Sequence, residues 1–328
     1  MENTAEMTVW ITKMGILYAD TINNNTPYKY TGQKIYATNP CGEQPLPPYG
    51  SCNLGSINLS HDYFYSENGE FDYEKLKYVS KFATRFLDNV GSSTKFPTQE
   101  LADWYADNRP IGLGIMGLAD AMLRLKIKYG TKDGLDFTNN MMQTIFQSSY
   151  KESKVLGEER GVPANCILVG NATGHYRRNI TTISIAPTGS IAFIAECSHG
   201  IEPIFSPSFI RVDERGEEYT FVHPLAKEEY FVSAIGSSSP TWREQIDLVA
   251  AVQKWCDSGI SKTINLEENI TPQEVYDAYF YAWKSECKGI TVYRNNSRMV
   301  QVLNHVEVPE VKEEDSIDAS CPTGVCTL

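Results

Sequence analysis

The sequence predicts an α/β fold, and two observations in its second half carry that prediction. Three short runs at residues 180–185, 260–266 and 289–293 are rich in isoleucine, valine and threonine, a composition typical of strands. Two helical patterns, at residues 241–256 and 272–287, alternate with these runs along the chain. Strands that alternate with helices are typical of sheets covered on both faces, so we expect largely buried strands.

The first half of the chain is expected to be mainly helical, with one long loop. Apolar spacing predicts helices at residues 5–20, at 73–88 after an Asp72 cap, and at 98–106, 111–126 and 137–160. The pattern at 111–126 is apolar nearly all round, which indicates a buried helix. Residues 35–59 are rich in Pro, Gly, Cys and Asn, so we expect mostly loop there, ending on a short strand. Residues 208–221 are interpreted as an irregular strand pair.

The bulk composition is typical of a globular protein of the cytoplasm. Of the 328 residues, 41% are hydrophobic and 21% are charged, and no apolar stretch is long enough to predict a membrane span. The first residues lack the basic and apolar regions of a signal peptide. The net charge of −12 repels phosphate backbones, which argues against binding to nucleic acid polymers.

The eight cysteines are expected to be free thiols or catalytic groups rather than a disulfide framework. Cys321 and Cys326 form a close pair, but no second pair matches them, so no metal site is predicted. Acidic residues from 310 to 318 indicate a flexible linker. We therefore divide the chain into a main domain, 1–308, and a linker with a cysteine tail, 309–328. The tail cysteines fit a thiol shuttle and an incidental disordered end equally well.

A loop bounded by proline and glycine at residues 39–43 carries the first candidate site. Cys41 and Glu43 lie two residues apart, so in an extended chain they share one side with Asn39. A thiol, a carboxylate and an amide that converge fit a catalytic set. Cys52 follows in a similar Gly- and Ser-rich setting. Spacing alone leaves open that these are unrelated polar residues of a loop.

Two glycine-containing segments are candidates for phosphate binding. Residues 112–117 fit the pattern GxGxxG, but a polar turn precedes them where the dinucleotide fingerprint needs a strand. We therefore interpret these glycines as contacts of a buried helix. Residues 186–191 follow an apolar strand and precede a helix, so their hydroxyl and N–H groups could bind phosphate. A plain helix-capping turn remains the alternative.

Taken together, these segments resemble the catalytic subunits of ribonucleotide reductases. The matching stretches keep the family's order and cover most of the chain: residues 39–46, 51–59, 109–121, 186–191, 200–203, 258–266 and 289–295. The resemblance implies the second half of a ten-stranded α/β barrel. It also implies a central finger loop that carries the radical cysteine, and a flexible C-terminal tail.

The resemblance also gives a role to each candidate residue. Cys41 matches the cysteine that becomes a thiyl radical, Glu43 the base for the 3′-hydroxyl proton, and Asn39 the amide that binds the ribose hydroxyls. Cys52 matches one of the two cysteines that reduce the 2′ position. The remaining matches are the substrate phosphate turn, Pro187, Thr188, Gly189, Ser190 and Ile191, and the tail pair that re-reduces the active-site disulfide, Cys321 and Cys326.

The loop sequence NPCGEQ resembles the adenosylcobalamin-dependent class of the family, which implies coenzyme B12 as the radical source. The iron-dependent class has two adjacent tyrosines where this chain has Val292 and Tyr293, so we expect Tyr293 near the radical or cofactor site. The implied substrate is a ribonucleotide, with a diphosphate favoured. The implied partners are thioredoxin or glutaredoxin as electron donor, within an oligomeric enzyme that makes deoxyribonucleotides.

The family's other reducing cysteine, its dimer helices and its effector loops have no counterpart in this sequence. We therefore expect Met1 to begin a fragment or a split gene product that is active only with an N-terminal half. Two alternatives remain open. The chain could come from an iron-dependent reductase, or it could be a non-catalytic nucleotide-binding or regulatory partner of an intact one.

Overall fold

The computed structural model describes residues 13–204, 206–212, 218–222, 229–234, 239–295 and 303–305. The predicted linker and tail at 309–328, with Cys321 and Cys326, lie outside these residues. Within the described part of the chain, no helix combines the length and the apolar character that a membrane crossing requires.

The helices lie mostly where the sequence predicts them. They are α1 (Ala19–Asn24), α2 (Tyr73–Ser93), α3 (Gln99–Asn108), α4 (Leu118–Arg124), α5 (Lys132–Arg160), α6 (Ala164–Thr173), α7 (Gly189–Ile194), α8 (Trp242–Gln253) and α9 (Pro272–Lys284). The predicted cap of α2 is confirmed, because the Asp72 carboxylate accepts hydrogen bonds from the N–H groups of Glu74 and Lys75, both at 3.0 Å. Capping boxes at Thr241 and Thr271 begin α8 and α9.

Parallel strands run through the middle of the molecule. The strands are β1 (Lys13–Leu17), β2 (Ala37–Thr38), β3 (Pro45–Leu46), β4 (Asn53–Asn58), β5 (Ile111–Met116), β6 (Ser208–Val212), β7 (Glu218–Val222), β8 (Thr263–Leu266), β9 (Gly289–Arg294) and β10 (Leu303–His305). The pairs β4–β5 and β8–β9 are parallel. Parallel bridges from Leu113 to Ile183 and from Ile185 to Ile260 connect the two pairs through residues 180–185.

Helices cover this row of parallel segments, as the α/β prediction requires. All six residues of β5 are buried. α2 packs against β4 and β5, α5 packs against α2 and α8, and α9 packs against α8 and β9. The apolar side chains of the strands and of these helices form one large core, so the strands are held in place by packing as well as by their hydrogen bonds.

The helix predicted over residues 5–20 is wrong where the structure describes it. Lys13–Leu17 is the strand β1, which pairs antiparallel with β9, and a helix begins only at Ala19. Ile16 packs against the core while Leu17 is exposed, which is the two-residue period of a strand. The open edge of β9 offered backbone partners, and this tertiary pairing overrode the helical spacing of the apolar residues.

The buried helix predicted over residues 111–126 is also wrong in its first half. Ile111–Met116 is the strand β5, and only Leu118–Arg124 is helical. A Cβ atom at Gly112 would lie 2.4 Å from Leu54 Cδ2, and one at Gly114 would lie 2.4 Å from the Ser184 carbonyl oxygen. These glycines therefore allow close approach of three neighbouring strand segments. A strand buried on both faces is apolar all round, like a buried helix, and periodicity cannot separate the two.

Candidate functional site

Residues 39–44 form a loop at the end of the antiparallel hairpin of β2 and β3. Gly42 has φ +83°, a left-handed backbone that glycine adopts without steric cost. Its N–H donates a hydrogen bond to the Asn39 carbonyl at 3.1 Å, which closes the turn. Cys41 lies within this turn and is exposed.

The loop is tied to two neighbouring strand segments through the Glu43 carbonyl oxygen. The N–H of Gly259 donates to this oxygen at 2.9 Å, and the Ser184 hydroxyl donates to it at 3.0 Å. A Cβ atom at Gly259 would lie 2.6 Å from the Gly42 carbonyl oxygen. Residue 259 must therefore be glycine for the loop to approach this closely.

The side chains of the loop leave polar atoms available to a ligand. The Asn39 Oδ1 atom accepts a hydrogen bond from the Gln44 N–H at 3.0 Å, which directs the Asn39 NH₂ group, a donor, away from Gln44. Glu43 is only 3% exposed, and its Oε2 atom is buried with no hydrogen-bond partner among the described residues. A buried acceptor without a partner is costly, so this oxygen is suited to take a proton or hydrogen bond from a bound molecule.

Cys52 is half-buried and lies immediately before β4, in electrostatic contact with the loop. Burial raises the pKa of the Cys52 thiol, and the negative charges of Asp257 and Glu43 raise it further. The Cys52 thiol is therefore protonated at neutral pH. The Glu43 carboxylate therefore lies near enough to Cys52 for its charge to act on the thiol.

Asp257 is a carboxylate of this site that the sequence did not single out. It accepts hydrogen bonds from the N–H groups of Thr182 and Ile183, both at 2.9 Å, and forms an ion pair with Arg177 at 3.4 Å. These contacts fix its negative charge beside the start of the 180–185 segment. Its position, one residue before a matched stretch, was the available signal.

The turn at residues 187–191 follows the same 180–185 segment that anchors the loop. Thr188 has φ +57°, and its hydroxyl accepts a hydrogen bond from the Gly200 N–H at 2.8 Å. The Thr188 side chain does not cap α7, and Gly189, Ser190 and Ile191 are exposed. The first N–H groups of this helix are therefore not capped by that side chain, which keeps the phosphate interpretation open and weakens the plain-cap alternative.

Tyr293 lies in β9, opposite Lys13 of β1 and Asn265 of β8. It is partly buried in the sheet, and its backbone pairs with these two strands rather than with the loop. Among the described residues, no cluster of three or more His, Cys, Asp or Glu side chains could hold a metal ion. Asn39, Cys41 and Glu43 therefore share one loop, and Cys52 lies within range of the Glu43 charge. The roles expected for these four residues and for Tyr293 stay predictions.

Known proteins resemble this chain over almost its whole length. The family model of the ribonucleotide reductase barrel domain matches residues 1–166 and 168–293. The vitamin B12-dependent ribonucleoside-diphosphate reductase of Thermoplasma acidophilum is 38% identical, over 95% of this chain and 47% of that protein. The protein of the same name from Mycobacterium tuberculosis strain H37Rv is 36% identical, over 89% of this chain and 45% of that protein.

A solved structure agrees with these matches at the level of the fold. The alpha subunit of a class Id ribonucleotide reductase from Actinobacillus ureae has a TM-score of 0.70 and 21% identity, over 90% of this chain and 60% of that chain. The chain spans less than half the length of the two B12-dependent relatives that it matches. Because the family model covers most of its residues, the chain belongs to the ribonucleotide reductase barrel-domain family.

Proposed function

We propose that this chain is the C-terminal half of an adenosylcobalamin-dependent ribonucleotide reductase. In this proposal it reduces ribonucleotides, with diphosphates favoured, to 2′-deoxyribonucleotides for DNA synthesis. The observation that carries the proposal is a loop with an exposed cysteine, Cys41, and a buried Glu43 oxygen that has no hydrogen-bond partner in the described part of the chain. The names of the relatives at 36% and 38% identity support the choice of cofactor and substrate.

The described side chains fit the steps of this reaction. A radical at Cys41 takes the hydrogen atom from C3′ of the ribose, and Glu43 Oε2 accepts the 3′-hydroxyl proton. The NH₂ group of Asn39 donates a hydrogen bond to a ribose oxygen and orients the sugar. Cys52 and a second thiol supply two electrons and two protons, so the 2′-hydroxyl leaves as water and the two thiols become a disulfide. Finally, Cys41 returns its hydrogen to C3′.

The substrate phosphate is assigned to the turn Pro187, Thr188, Gly189, Ser190 and Ile191. Ser184, three residues before this turn, donates its hydroxyl proton to the Glu43 carbonyl oxygen. One strand segment therefore connects the phosphate turn to the catalytic loop, which supports a ribose seated between them. Exposed N–H groups at the start of α7 supply the local donors that an acidic protein needs to bind an anion.

The surroundings of Cys41 fit a bulky radical cofactor. Adenosylcobalamin supplies a radical that removes the hydrogen atom from a thiol, and it carries its own cobalt in a ring. It therefore needs an accessible thiol and an apolar surface rather than a cluster of protein metal ligands. Cys41 is exposed, and Leu17, 46% exposed, lies 3.7 Å from where a Cβ atom on Gly42 would be. Residue Tyr293 is proposed to lie in the vicinity of this cofactor.

The remaining parts of the enzyme are proposed from the length of the relatives, which is about twice that of this chain. Among the described residues β4 pairs only with β5, so its other edge is open for a strand of an N-terminal half. We propose that this half completes a ten-stranded barrel around the finger loop and supplies the second reducing thiol. Cys321 and Cys326 would pass electrons from thioredoxin or glutaredoxin to the site, in a cytoplasmic, oligomeric enzyme.

The test is a reduction assay with the chain reconstituted with an N-terminal reductase half. We expect formation of deoxynucleotide that requires adenosylcobalamin, and no product from Cys41→Ser, because serine cannot form the radical. Cys197→Ser, at a half-buried cysteine after α7, is the control and should keep its activity. Full activity of Cys41→Ser would contradict the proposal, and activity with an iron subunit in place of cobalamin would favour the iron-dependent class.

A further inference from the structure

We propose that Gln44 and Ser184 are positioning residues that fix the orientation of the catalytic loop. This inference rests on the proposed function, because it concerns how Cys41 and Glu43 are held for the same reaction. Neither residue has a role in the reaction as derived above. Both are buried, with exposed fractions of 6% and 0%.

Gln44 links the loop to itself through its backbone and to Ser184 through its side chain. Its backbone N–H donates to Asn39 Oδ1 at 3.0 Å, which sets the orientation of the Asn39 amide. Its side-chain Nε2 donates to the Ser184 hydroxyl oxygen at 2.7 Å. Ser184 then donates to the Glu43 carbonyl oxygen at 3.0 Å. A single relay therefore runs from the amide of Gln44 through Ser184 to the backbone of Glu43.

The direction of these bonds requires an amide at position 44. Ser184 has one hydroxyl proton, and the Glu43 carbonyl oxygen can only accept, so the proton must point there. Ser184 can then only accept from its other neighbour, and that neighbour must be a donor. Glutamine meets this requirement with its NH₂ group. A carboxylate at the same position would compete for the serine proton and break the bond to Glu43.

The packing around the amide makes this arrangement rigid. A Cβ atom at Gly112 would lie 3.0 Å from Gln44 Nε2, so β5 closely covers the amide. The Gln44 Oε1 atom is buried and has no hydrogen-bond partner within the described ranges. A bound water or a substrate hydroxyl can satisfy this acceptor, which lies on the residue next to Glu43. The glutamine therefore fixes the loop and leaves one acceptor open beside the base.

The test uses the chain with its N-terminal half and four variants: Gln44→Met, Gln44→Glu, Ser184→Ala and the double variant Gln44→Met/Ser184→Ala. A displacement of about 1 Å in a reacting group costs about 100-fold in rate, so we expect kcat to fall by about that factor. KM for the ribonucleoside diphosphate should stay within about threefold, because the phosphate turn is unchanged. The double variant should lose no more than the worse single variant, since both break one relay.

Ser149→Ala is the matched control, because Ser149 is fully buried and accepts a hydrogen bond from Thr84 at 2.7 Å, away from the loop. We expect this variant to lose stability without loss of kcat. A second measurement is hydrogen exchange of residues 39–46, followed by mass spectrometry. Gln44→Met should speed exchange in this segment and leave exchange in α2 unchanged.

The two measurements separate the inference from the proposed function. If the unmodified complex does not reduce ribonucleotides, the proposed function fails, and the exchange data still decide whether Gln44 holds the loop. Unchanged exchange of residues 39–46 in Gln44→Met would overturn the inference. The inference would also be overturned if Ser149→Ala and Ser184→Ala showed the same loss of kcat and the same change in KM. Equal effects would indicate a general loss of packing rather than a displaced loop.

Discussion

Two buried polar clusters of this molecule differ in how completely their atoms are paired. The loop cluster consists of Glu43, Gln44 and Ser184, and two of its oxygen atoms have no partner among the described residues. The Asp88 cluster lies between α2, α5 and residues 178–179. Its carboxylate is fully buried and accepts hydrogen bonds from these side chains: Arg109 at 2.8 and 3.0 Å, Arg160 at 2.8 Å, Arg178 at 3.0 and 3.1 Å, and Asn179 at 3.2 Å.

The difference separates a structural cluster from a functional one. The donors to the Asp88 carboxylate all lie outside α2, so this carboxylate holds α2, the end of α5 and the residues before the 180–185 segment together. In the loop cluster, the Gln44 Nε2, the Ser184 hydroxyl and the Glu43 carbonyl oxygen are hydrogen-bonded to one another. The Glu43 Oε2 and Gln44 Oε1 atoms have no partner among the described residues. Unpaired buried acceptors reduce stability, and a protein keeps them where a ligand supplies the missing donor. Substitutions in the two clusters should therefore affect different quantities.

Within these two clusters, the largest effect on activity is expected for Glu43→Gln in the reconstituted enzyme. Loss of a positioned base costs about 10²–10⁴-fold in rate, so kcat should fall within that range. The free energy of unfolding should stay the same or rise, because an amide replaces a buried carboxylate oxygen that lacks a partner. Steady-state assays and urea denaturation measure the two quantities.

Glu158→Gln, at an exposed position near the end of α5, is the control for this variant and should change neither quantity. A Glu43→Gln enzyme with normal kcat would remove Glu43 from the role of base. A large loss of stability with normal kcat per folded molecule would place Glu43 in the same structural category as Asp88.

The opposite pattern is expected for Asp88→Asn. Removing one member of a buried ion pair leaves uncompensated charge and costs about 3–5 kcal/mol, here with three arginines left behind. Urea denaturation should show this loss, while kcat per folded molecule stays near normal. Asp136→Asn, which removes an exposed partner of Lys132, is the control and should cost less than about 1 kcal/mol. A loss no larger than the control would contradict the structural role.

The candidate site residues could be grouped from the sequence more easily than the elements that hold them could be predicted. Asn39, Cys41 and Glu43 stand within one short loop, so they are neighbours whatever the rest of the fold does, and their catalytic roles stay predictions. The capped start of α2 at Asp72 was also local. In contrast, β1 forms because β9 offers an edge at a separation of more than 270 residues, and no local pattern records that pairing.

The supporting residues of the site were missed for the same reason. Gln44 meets Ser184 across 140 residues, and Gly259 meets the loop from a third part of the chain. None of these contacts follows from a local sequence pattern alone. Each residue makes its long-range contact only because the parallel segments pack together. Gly259 directly precedes the strand predicted at 260–266, and this was the usable signal, because a glycine at a strand often marks a close backbone approach.

A smaller effect, on both the free energy of unfolding and kcat, is expected for Gly259→Ala. The new Cβ atom would lie 2.6 Å from the Gly42 carbonyl oxygen, so the loop must move away from the strand. Overpacking of this kind costs about 1–3 kcal/mol, and the shift should also lower kcat. Gly55→Ala in β4 is the control, since a Cβ atom there would meet only the side chain of Leu87, at 3.2 Å and beyond, and this side chain can move. Equal behaviour of the two variants would show that the loop tolerates displacement.

The smallest expected effect is on the acid dependence of stability. Burial works against ionisation of Asp88, but Arg109 and Arg178 outweigh it and lower the pKa of this carboxyl below its ordinary value. The unfolded chain therefore binds a proton at higher pH than the folded chain does. The stability that Asp88 contributes is present above the unfolded-state pKa, about 3.9, and is lost as the pH falls through the lower folded-state pKa.

This dependence is isolated by comparing the original chain with Asp88→Asn in urea denaturation between about pH 6 and pH 3, the range in which carboxyl groups begin to titrate. Other carboxyl groups, such as Asp72 and Glu274, also have a lowered pKa and destabilise both proteins alike. The stability gap between the two proteins should narrow as the pH falls, because only the original chain has the Asp88 carboxylate to protonate. A gap that stays constant would mean that the arginines stabilise Asp88 through hydrogen-bond geometry alone, and the contrast with the open carboxylate of Glu43 would then rest on packing rather than on charge.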